Sequence, residues 1–124
     1  MPISSFTDLT AWQEAHKFVL MVYEVTKQFP KEEAFGLTQQ LRRAAVSITS
    51  NIAEGFSRQS KKEKAQFYHT SLGSLTEIQN QLFIAKDVYY LTQEKFGELH
   101  LQSVRVSKLI NGLIKSVLAR PPNT

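Results

Sequence analysis

The sequence predicts an all-α protein that folds as an antiparallel up-down-up-down four-helix bundle. Apolar residues recur at the three- and four-residue spacing of helices throughout the chain, rather than at the alternating spacing of strands. The four prolines stand at positions 2, 30, 121 and 122, so they leave long segments uninterrupted. The connections are short, about two to six residues, which makes consecutive helices antiparallel neighbours. We therefore expect one domain over residues 1–124, with helices at about 8–29, 33–57, 61–90 and 93–119.

The first two helices carry recognisable start and stop signals. We expect the first to be capped by Thr7 or Asp8 and to end before Pro30, because proline disfavours helix in the residue that precedes it. The second helix should begin near Glu32 and Glu33, whose charges suit the positive end of a helix dipole.

The third and fourth helices begin with side chains that can cap them. Ser60 and Glu63 have the spacing of a capping box at the start of the third helix. Thr92 precedes the fourth, with Glu94 in its first turn, and the Pro121–Pro122 pair should end it.

Small residues on the second and third helices are expected to face each other. If the turn centres near residue 60, facing positions have numbers that add to about 120, which sets Ala44 and Ser47 opposite the stretch 73–76. Small residues let two helices approach closely, so we expect Gly73 to serve close packing. For Gly55, close packing and a simple helix irregularity both remain open.

The first helix is apolar on two sides. The face expected to point into the bundle carries Leu9, Trp12, Ala15, His16, Val19, Tyr23 and Thr26. The other side carries Phe18, Met21 and Val25, and the third helix points Gly73, Ile84 and Val88 outward. Scattered exposed apolar residues are common and need no partner, but a helix that is apolar on two sides is normally buried on both. We therefore expect a homo-oligomer whose interface includes these last six residues.

Cations concentrate on the second helix and just beyond it. The formal net charge is +4, and the cations in question are Arg42, Arg43, Arg58, Lys61, Lys62 and Lys64. Adjacent helical residues point about 100° apart, so only one of Arg42 and Arg43 should face a given partner surface. In a monomer such a cluster is usually a solvated surface, whereas several copies on one rim would attract nucleic-acid phosphates. We take these six residues as candidate nucleic-acid contacts.

The sequence contains no pattern that points to catalysis. It lacks a glycine-rich phosphate loop, a nucleophile elbow and an H-E-x-x-H motif. His16, His69 and His100 fall on three different helices, without the Glu-x-x-His pattern of di-iron bundles. We expect no enzymatic activity, no cofactor and no metal site. The alternative is a metal or ligand site that uses His16 or His100.

Composition narrows the protein class further. A hydrophobic content of 42% argues against disorder, and no apolar run approaches the ~20 residues of a membrane span. The opening MPISSFTDL has neither the basic nor the apolar region of a secretion signal. The absence of cysteine fits a reducing compartment, so we expect a cytoplasmic protein without membrane contact.

Several stretches resemble a known family. They are FTDLTAWQEAHKF, the FPKEE turn, the run QLRRAAVSITSNIAEG at positions 40–55, and FYHTSLGSLTEIQNQLFIAKDVYYL. Together, in this order and at these distances, they resemble the bacterial four-helix proteins of the 23S ribosomal RNA intervening-sequence family, over about residues 6–118.

The resemblance implies an antiparallel four-helix bundle assembled into a ring-like homopentamer. It also implies a likeness to the accessory variability determinant of diversity-generating retroelements, a pentameric barrel that binds nucleic acid and a reverse transcriptase through a basic surface. The candidate partners are therefore further copies of the chain, structured RNA or DNA, and a protein such as a reverse transcriptase.

Two hypotheses of function follow. The leading one is a non-enzymatic homo-oligomer that binds RNA or other nucleic acid through phosphate contacts of the six cations. The alternative is a protein-interaction scaffold or accessory subunit with no direct nucleic-acid contact, in which Ile84 and Val88 dock a partner.

Overall fold

A computed structural model describes residues 2–119 and confirms the predicted all-α class. These residues contain no strand; two short 3₁₀ turns, Phe6–Asp8 and Lys31–Glu33, accompany four α-helices. The helices are α1 (Thr10–Thr26), α2 (Leu37–Ser57), α3 (Lys61–Asp87) and α4 (Gln93–Leu118). The Pro121–Pro122 pair, expected to end the fourth helix, lies outside the described residues.

The four helices form a square in which each packs against two neighbours. α1 and α3 both pack on α2 and on α4, and within residues 2–119 no Cα atoms of the diagonal pairs lie within 8 Å of each other. The short connections make neighbouring helices antiparallel, as predicted. The core runs along the centre of the square and is mostly aliphatic; its fully buried large side chains include Leu41, Ile48, Ile52, Leu75, Ile78, Leu82, Leu99 and Ile110.

The predicted starts of α3 and α4 are confirmed. The Ser60 hydroxyl accepts a hydrogen bond from the Glu63 backbone N–H at 3.1 Å. The Thr92 hydroxyl accepts one from the Lys95 backbone N–H, also at 3.1 Å. Each bond satisfies a donor that would otherwise be unpaired in the first helical turn.

The predicted ends of α1 and α3 are less accurate. α1 is not capped by Thr7 or Asp8: its N-cap is Leu9, which has no side-chain acceptor. The Asp8 carboxylate accepts bonds from the backbone N–H groups of residues 4 and 5 instead, within the preceding 3₁₀ turn. At the other ends, α1 stops at Thr26 and α3 at Asp87, each about three residues earlier than predicted.

α2 begins at Leu37 rather than near residue 33, because Glu33 caps it from outside the helix. Glu33 Oε1 accepts a hydrogen bond from the Leu37 backbone N–H at 3.0 Å, which replaces the cap that Gly36 cannot supply. Glu33 Oε2 accepts a bond from the Tyr90 hydroxyl at 2.9 Å. These bonds, first the Leu37 N–H and then Tyr90, lower the pKa of Glu33. Glu33 therefore joins the α1–α2 connection to the α3–α4 connection.

The expectation about which face of α1 points inward was wrong in part: Ala15, Val19 and Thr26 are buried as expected, but the inward face also includes Phe18 and excludes His16 and Tyr23. Phe18 is fully buried in the core of the single chain, beside the fully buried Ala15 and Val22. His16, expected inside, is exposed, and Tyr23 is 37% exposed. Because Phe18 is covered by its own chain, it is not available to an oligomer interface.

The reason for this error is that α1 has two neighbours. α2 covers one flank and α4 covers the other, where Met21 and Val25 line a small cleft with Leu99. Both side chains are half-buried and pack against the core. The apolar residues on two sides of α1 are therefore largely explained within one chain, and they do not by themselves require a second copy.

The predicted register of α2 and α3 is confirmed. The hydroxyls of Ser47 and Ser74 lie 2.8 Å apart and share a hydrogen bond. Deeper in the interface, the buried Ser71 hydroxyl donates to the Ile48 backbone oxygen at 2.8 Å. Small hydroxyl side chains thus bring the two backbones together and also satisfy each other's polar groups.

The structure decides the role of both glycines. A methyl group at Gly55 would lie 2.6 Å from Cε1 of the buried Tyr68 ring and 3.1 Å from Cβ of Phe67, so Gly55, whose role the sequence left open, permits close packing of α3 on α2. A methyl group at Gly73 would meet nothing within 4 Å, and Gly73 is exposed. The expectation that Gly73 serves close packing within the bundle was therefore wrong.

We predict opposite effects on stability when these glycines are changed to alanine. Gly55→Ala should lower the free energy of unfolding by about 1–3 kcal/mol, because the Tyr68 ring is buried and has little room to move. Gly73→Ala should raise it by about 0.5–1 kcal/mol through helix propensity alone. Urea unfolding of both variants measures this, and a stable Gly55→Ala protein would refute the close contact.

Candidate nucleic-acid interface

The two ends of the bundle differ in charge. The basic end holds the start of α1, the α2–α3 connection and the last turns of α4. Its cations Arg58, Lys61, Lys62, Lys64 and Lys115 outnumber the carboxylates Asp8, Glu54 and Glu63. The opposite end holds the α1–α2 and α3–α4 connections. There the carboxylates Glu24, Glu32, Glu33, Asp87, Glu94 and Glu98 are matched by the cations Lys27, Lys31, Arg42, Arg43, Lys86 and Lys95. Antiparallel packing creates this difference, because it gathers alternate connections at opposite ends.

Two lysines at the basic end, Lys61 and Lys62, lie in the first turn of α3. Lys62 is exposed, and it forms no hydrogen bond or ion pair with any of residues 2–119. Lys61, next to it, is half-buried. Both precede the body of the helix, where the aligned peptide dipoles are also positive. This turn is therefore the part of the structure best suited to meet an anion.

Arg58 is held in place beside these lysines. One of its guanidinium nitrogens lies 3.0 Å from Glu54 Oε2, an ion pair one turn apart on α2. Its guanidinium carbon lies 4.8 Å from the centre of the Phe67 ring. These contacts fix the direction of Arg58 while leaving it exposed, and the Glu54 carboxylate offsets part of its charge.

Lys64 points back into the protein rather than outward. Its ammonium group donates to the Phe56 backbone oxygen at 2.8 Å and lies 3.4 Å from the Gly55 backbone oxygen. These are carbonyls of the last turn of α2, which have no partner within the helix. Lys64 therefore stabilises the C-terminus of α2 and contributes less than Lys62 to any external contact.

Arg42 has a similar role at the end of α1. Its Nε donates to the Thr26 hydroxyl at 2.8 Å and its Nη2 to the Tyr23 backbone oxygen at 3.3 Å. Its guanidinium carbon lies 4.7 Å from the centre of the Tyr23 ring. Arg42 thus joins α2 to the C-terminal turn of α1.

Arg43 is exposed and forms no hydrogen bond or ion pair within residues 2–119. Both arginines line one shallow groove of about 570 Å³, together with Tyr23 and Val46. Arg43 also lines a second groove, between α2 and α3, with Gln40 and Glu77, which Arg42 does not reach. That only one of the two arginines faces a given partner surface stays a prediction. The pair lies about 24 Å along α2 from Arg58, so the six predicted cations do not form one site.

Sequence reasoning missed two lysines of α4. Lys108 and Lys115 are exposed, two turns apart on one face, and line a groove of about 620 Å³ with Asn111. The Gln79–Ser103 hydrogen bond at 3.0 Å sets the antiparallel register of α3 and α4, which brings the Lys115 turn alongside the first turns of α3. Two features of the sequence could have revealed these lysines. Lys108, Asn111 and Lys115 have the i, i+3, i+7 spacing of one helix face, and the predicted antiparallel topology places the end of α4 beside the start of α3.

The histidines lie apart from one another. The His16 ring stacks on Trp12 with 4.7 Å between ring centres, and His100 stacks on Phe96 at 5.6 Å. Within residues 2–119, no three His, Asp or Glu side chains are grouped so that they could hold a metal ion. Across the same residues, none of the helices is long and apolar enough to cross a lipid bilayer.

Comparison with known proteins identifies one family. The model of the family described as 23S rRNA-intervening sequence protein matches residues 7–112. A crystal structure of a protein with unknown function from the S23 ribosomal protein family of Bacteroides thetaiotaomicron VPI-5482 has the same fold, with a TM-score of 0.77. It is 21% identical, and the alignment covers 86% of this chain and 99% of that chain. No protein with a curated description matches the sequence.

We predict that the two lysines near the start of α3 have different roles. Lys64→Met should lower the free energy of unfolding by about 0.5–1.5 kcal/mol, because the carbonyls at the end of α2 lose their donor. Lys62→Met removes the same charge from an exposed position and should leave stability within about 0.5 kcal/mol of the starting protein. Thermal and urea unfolding compare them, and equal effects would contradict the distinction.

Proposed function

The chain belongs to the 23S rRNA-intervening sequence protein family, and we propose that it is a non-enzymatic, homo-oligomeric bundle that binds RNA or other nucleic acid through its basic end. The observation that carries this proposal is the excess of cations over carboxylates at the basic end of the bundle. Cations that lie within a Debye length of each other, about 8 Å at physiological salt, act on a polyanion together.

The side chains of the basic end favour contact with phosphates over recognition of bases. Lys62 and Lys115 are flexible, exposed point charges rather than planar groups held in a fixed direction. Such contacts position a nucleic acid without reading its sequence. Arg58, which is fixed against Phe67, adds a guanidinium plane on which an unpaired base can stack.

Self-association would multiply this surface, since each copy brings another set of cations. Support for it comes from exposed apolar side chains: Leu20 is 56% exposed on α1, Val46 41% on α2 and Leu101 73% on α4. Of the interface residues predicted from sequence, Gly73, Ile84 and Val88 are exposed as expected. Burying such residues against another copy would stabilise an assembly.

We predict that binding to a single-stranded RNA weakens as salt rises. The logarithm of the association constant should fall against the logarithm of salt concentration with a slope of about −0.7 for each phosphate neutralised. Lys61→Glu combined with Lys62→Glu should remove about two such contacts, which lowers both the affinity and the slope. Filter binding across a salt series measures both quantities. Glutamate in the first turn of α3 suits the helix dipole, so the variant should fold.

The matched control changes the same charge at the opposite end of the bundle. Lys31→Glu combined with Lys95→Glu also places glutamates in first helical turns. This control should bind RNA nearly as well as the starting protein once its changed net charge is allowed for. Equal loss in both double variants, or an affinity that does not respond to salt, would refute binding at the basic end.

A further inference from the structure

A groove between α2 and α3 has opposite charges on its two walls and no ion pair between them. Arg43 on the α2 wall and Glu77 on the α3 wall are both exposed, and the groove has a volume of about 270 Å³. Arg43 forms no hydrogen bond or ion pair within residues 2–119, so its donors are available. Glu77 accepts one hydrogen bond, at Oε2. We call this surface the α2–α3 groove; it is lined by Gln40, Arg43, Ala44, Ser47, Ser74 and Glu77.

Two pairs of side chains close the α2–α3 groove at its ends. At one end the hydroxyls of Ser47 and Ser74 share a hydrogen bond of 2.8 Å. At the other end Gln81 Nε2 donates to Gln40 Oε1 at 3.4 Å. Along each helix the two pairs are seven residues apart, which is about 10 Å. The two charged residues lie between them, so the groove has room for one flat polar group and not for a helix.

A buried amide holds the Glu77 carboxylate in place. Gln81 is 5% exposed, and its Nε2 donates to Glu77 Oε2 at 3.0 Å as well as to Gln40. The opposite orientation of this amide would set its oxygen against the carboxylate. The orientation found leaves Gln81 Oε1 buried without a donor within residues 2–119, although nearly all buried polar atoms in proteins are paired. Gln81 thus directs Glu77, as a supporting side chain does at a binding site.

Guanine fits the two walls better than the other RNA bases do. It has two acceptors, O6 and N7, on one edge and two donors, N1–H and the N2 amino group, on another. Arg43 has only donors, which suit O6 and N7, and Glu77 has only acceptors, which suit N1–H and the amino group. Adenine, cytosine and uracil have no edge with two donor groups, so none of them can satisfy Glu77 in the same way.

The groove suits a base rather than a phosphate, because Glu77 would repel an anion. The base must be unpaired, since a paired guanine already uses its N1–H and amino group. Arg43 lies 15 residues before Arg58 on α2, a distance of about 22 Å. About six stacked nucleotides, at roughly 3.4 Å each, span that distance. A strand held at the basic end can therefore reach the groove.

We propose that the α2–α3 groove binds one unpaired guanine of the RNA, with Arg43 on O6 and N7 and Glu77 on N1–H and the N2 amino group. Gln81 is a positioning residue for Glu77. This inference rests on the proposed function, since the basic end holds the strand through its phosphates. The groove then adds what the basic end lacks, a preference for one base.

Two labelled single-stranded RNAs test the preference by fluorescence anisotropy. Both are uridine oligomers of about 20 nucleotides, long enough to span both surfaces. One has a single guanine at its centre, and the other has adenine there. The starting protein should bind the guanine RNA about tenfold more tightly. Annealing a complementary strand to each RNA should remove the preference, because it occupies the edge that faces Glu77.

Changes on either wall should remove the preference. Glu77→Gln and Arg43→Met should each reduce it to about twofold or less. Both side chains are exposed, so the variants should fold, and glutamine at position 77 can still accept a bond from Gln81. The ratio of the two affinities is the measured quantity, because a general change in charge affects both RNAs alike.

A matched variant and a double variant separate this inference from the proposed function. Arg105→Met removes the same charge from α4, where Arg105 lies 3.1 Å from Glu14 of α1, and should keep the tenfold preference. Lys61→Glu combined with Lys62→Glu should weaken binding of both RNAs and leave their ratio unchanged.

Four results would overturn the inference. They are equal affinity for the two RNAs, a guanine preference that survives both wall variants, the same loss of preference in Arg105→Met, and dissociation of an assembly by Arg43→Met in sedimentation. The last would show that Arg43 contacts a second copy of the chain. Equal, salt-dependent affinity for both RNAs would leave the proposed function standing, whereas no binding of either RNA would overturn both.

Discussion

The close antiparallel contact between α2 and α3 is the constraint on which the rest of the structure depends. Gly55 lets the buried Tyr68 ring lie against the α2 backbone, and the paired hydroxyls of Ser47 and Ser74 fix the register. A shift of one turn would move the α2–α3 connection relative to α4 and separate Glu33 from Tyr90. The register of α2 and α3 therefore determines which connections and charged side chains come together at each end of the bundle.

Much of the fold could be predicted from sequence because helical period and capping are local properties. Ser60 and Thr92 cap the helices they were expected to cap, and the small residues set the register. The inward face of α1 could not be predicted in the same way. Its apolar residues surround the helix, and only the positions of α2 and α4 decide that Phe18 is buried while His16 is exposed.

For the candidate site, too, the sequence shows which residues are present, but only the folded structure shows where their side chains point. The cluster of cations is visible in the sequence, but a lysine's direction depends on which backbone oxygens lie within reach. Lys64 is turned toward the end of α2, whereas Lys62 points outward, although they are two residues apart. Lys115 belongs to the basic end only because α4 runs antiparallel to α3.

The most direct test of this account is to map a bound RNA on the isotope-labelled protein by NMR. The account predicts chemical-shift changes at amides of residues 57–66 and 108–118, which weaken as salt is added, and none at residues 31–35 or 86–95. Changes centred on the α1–α2 and α3–α4 connections, with the α2–α3 connection unaffected, would contradict it.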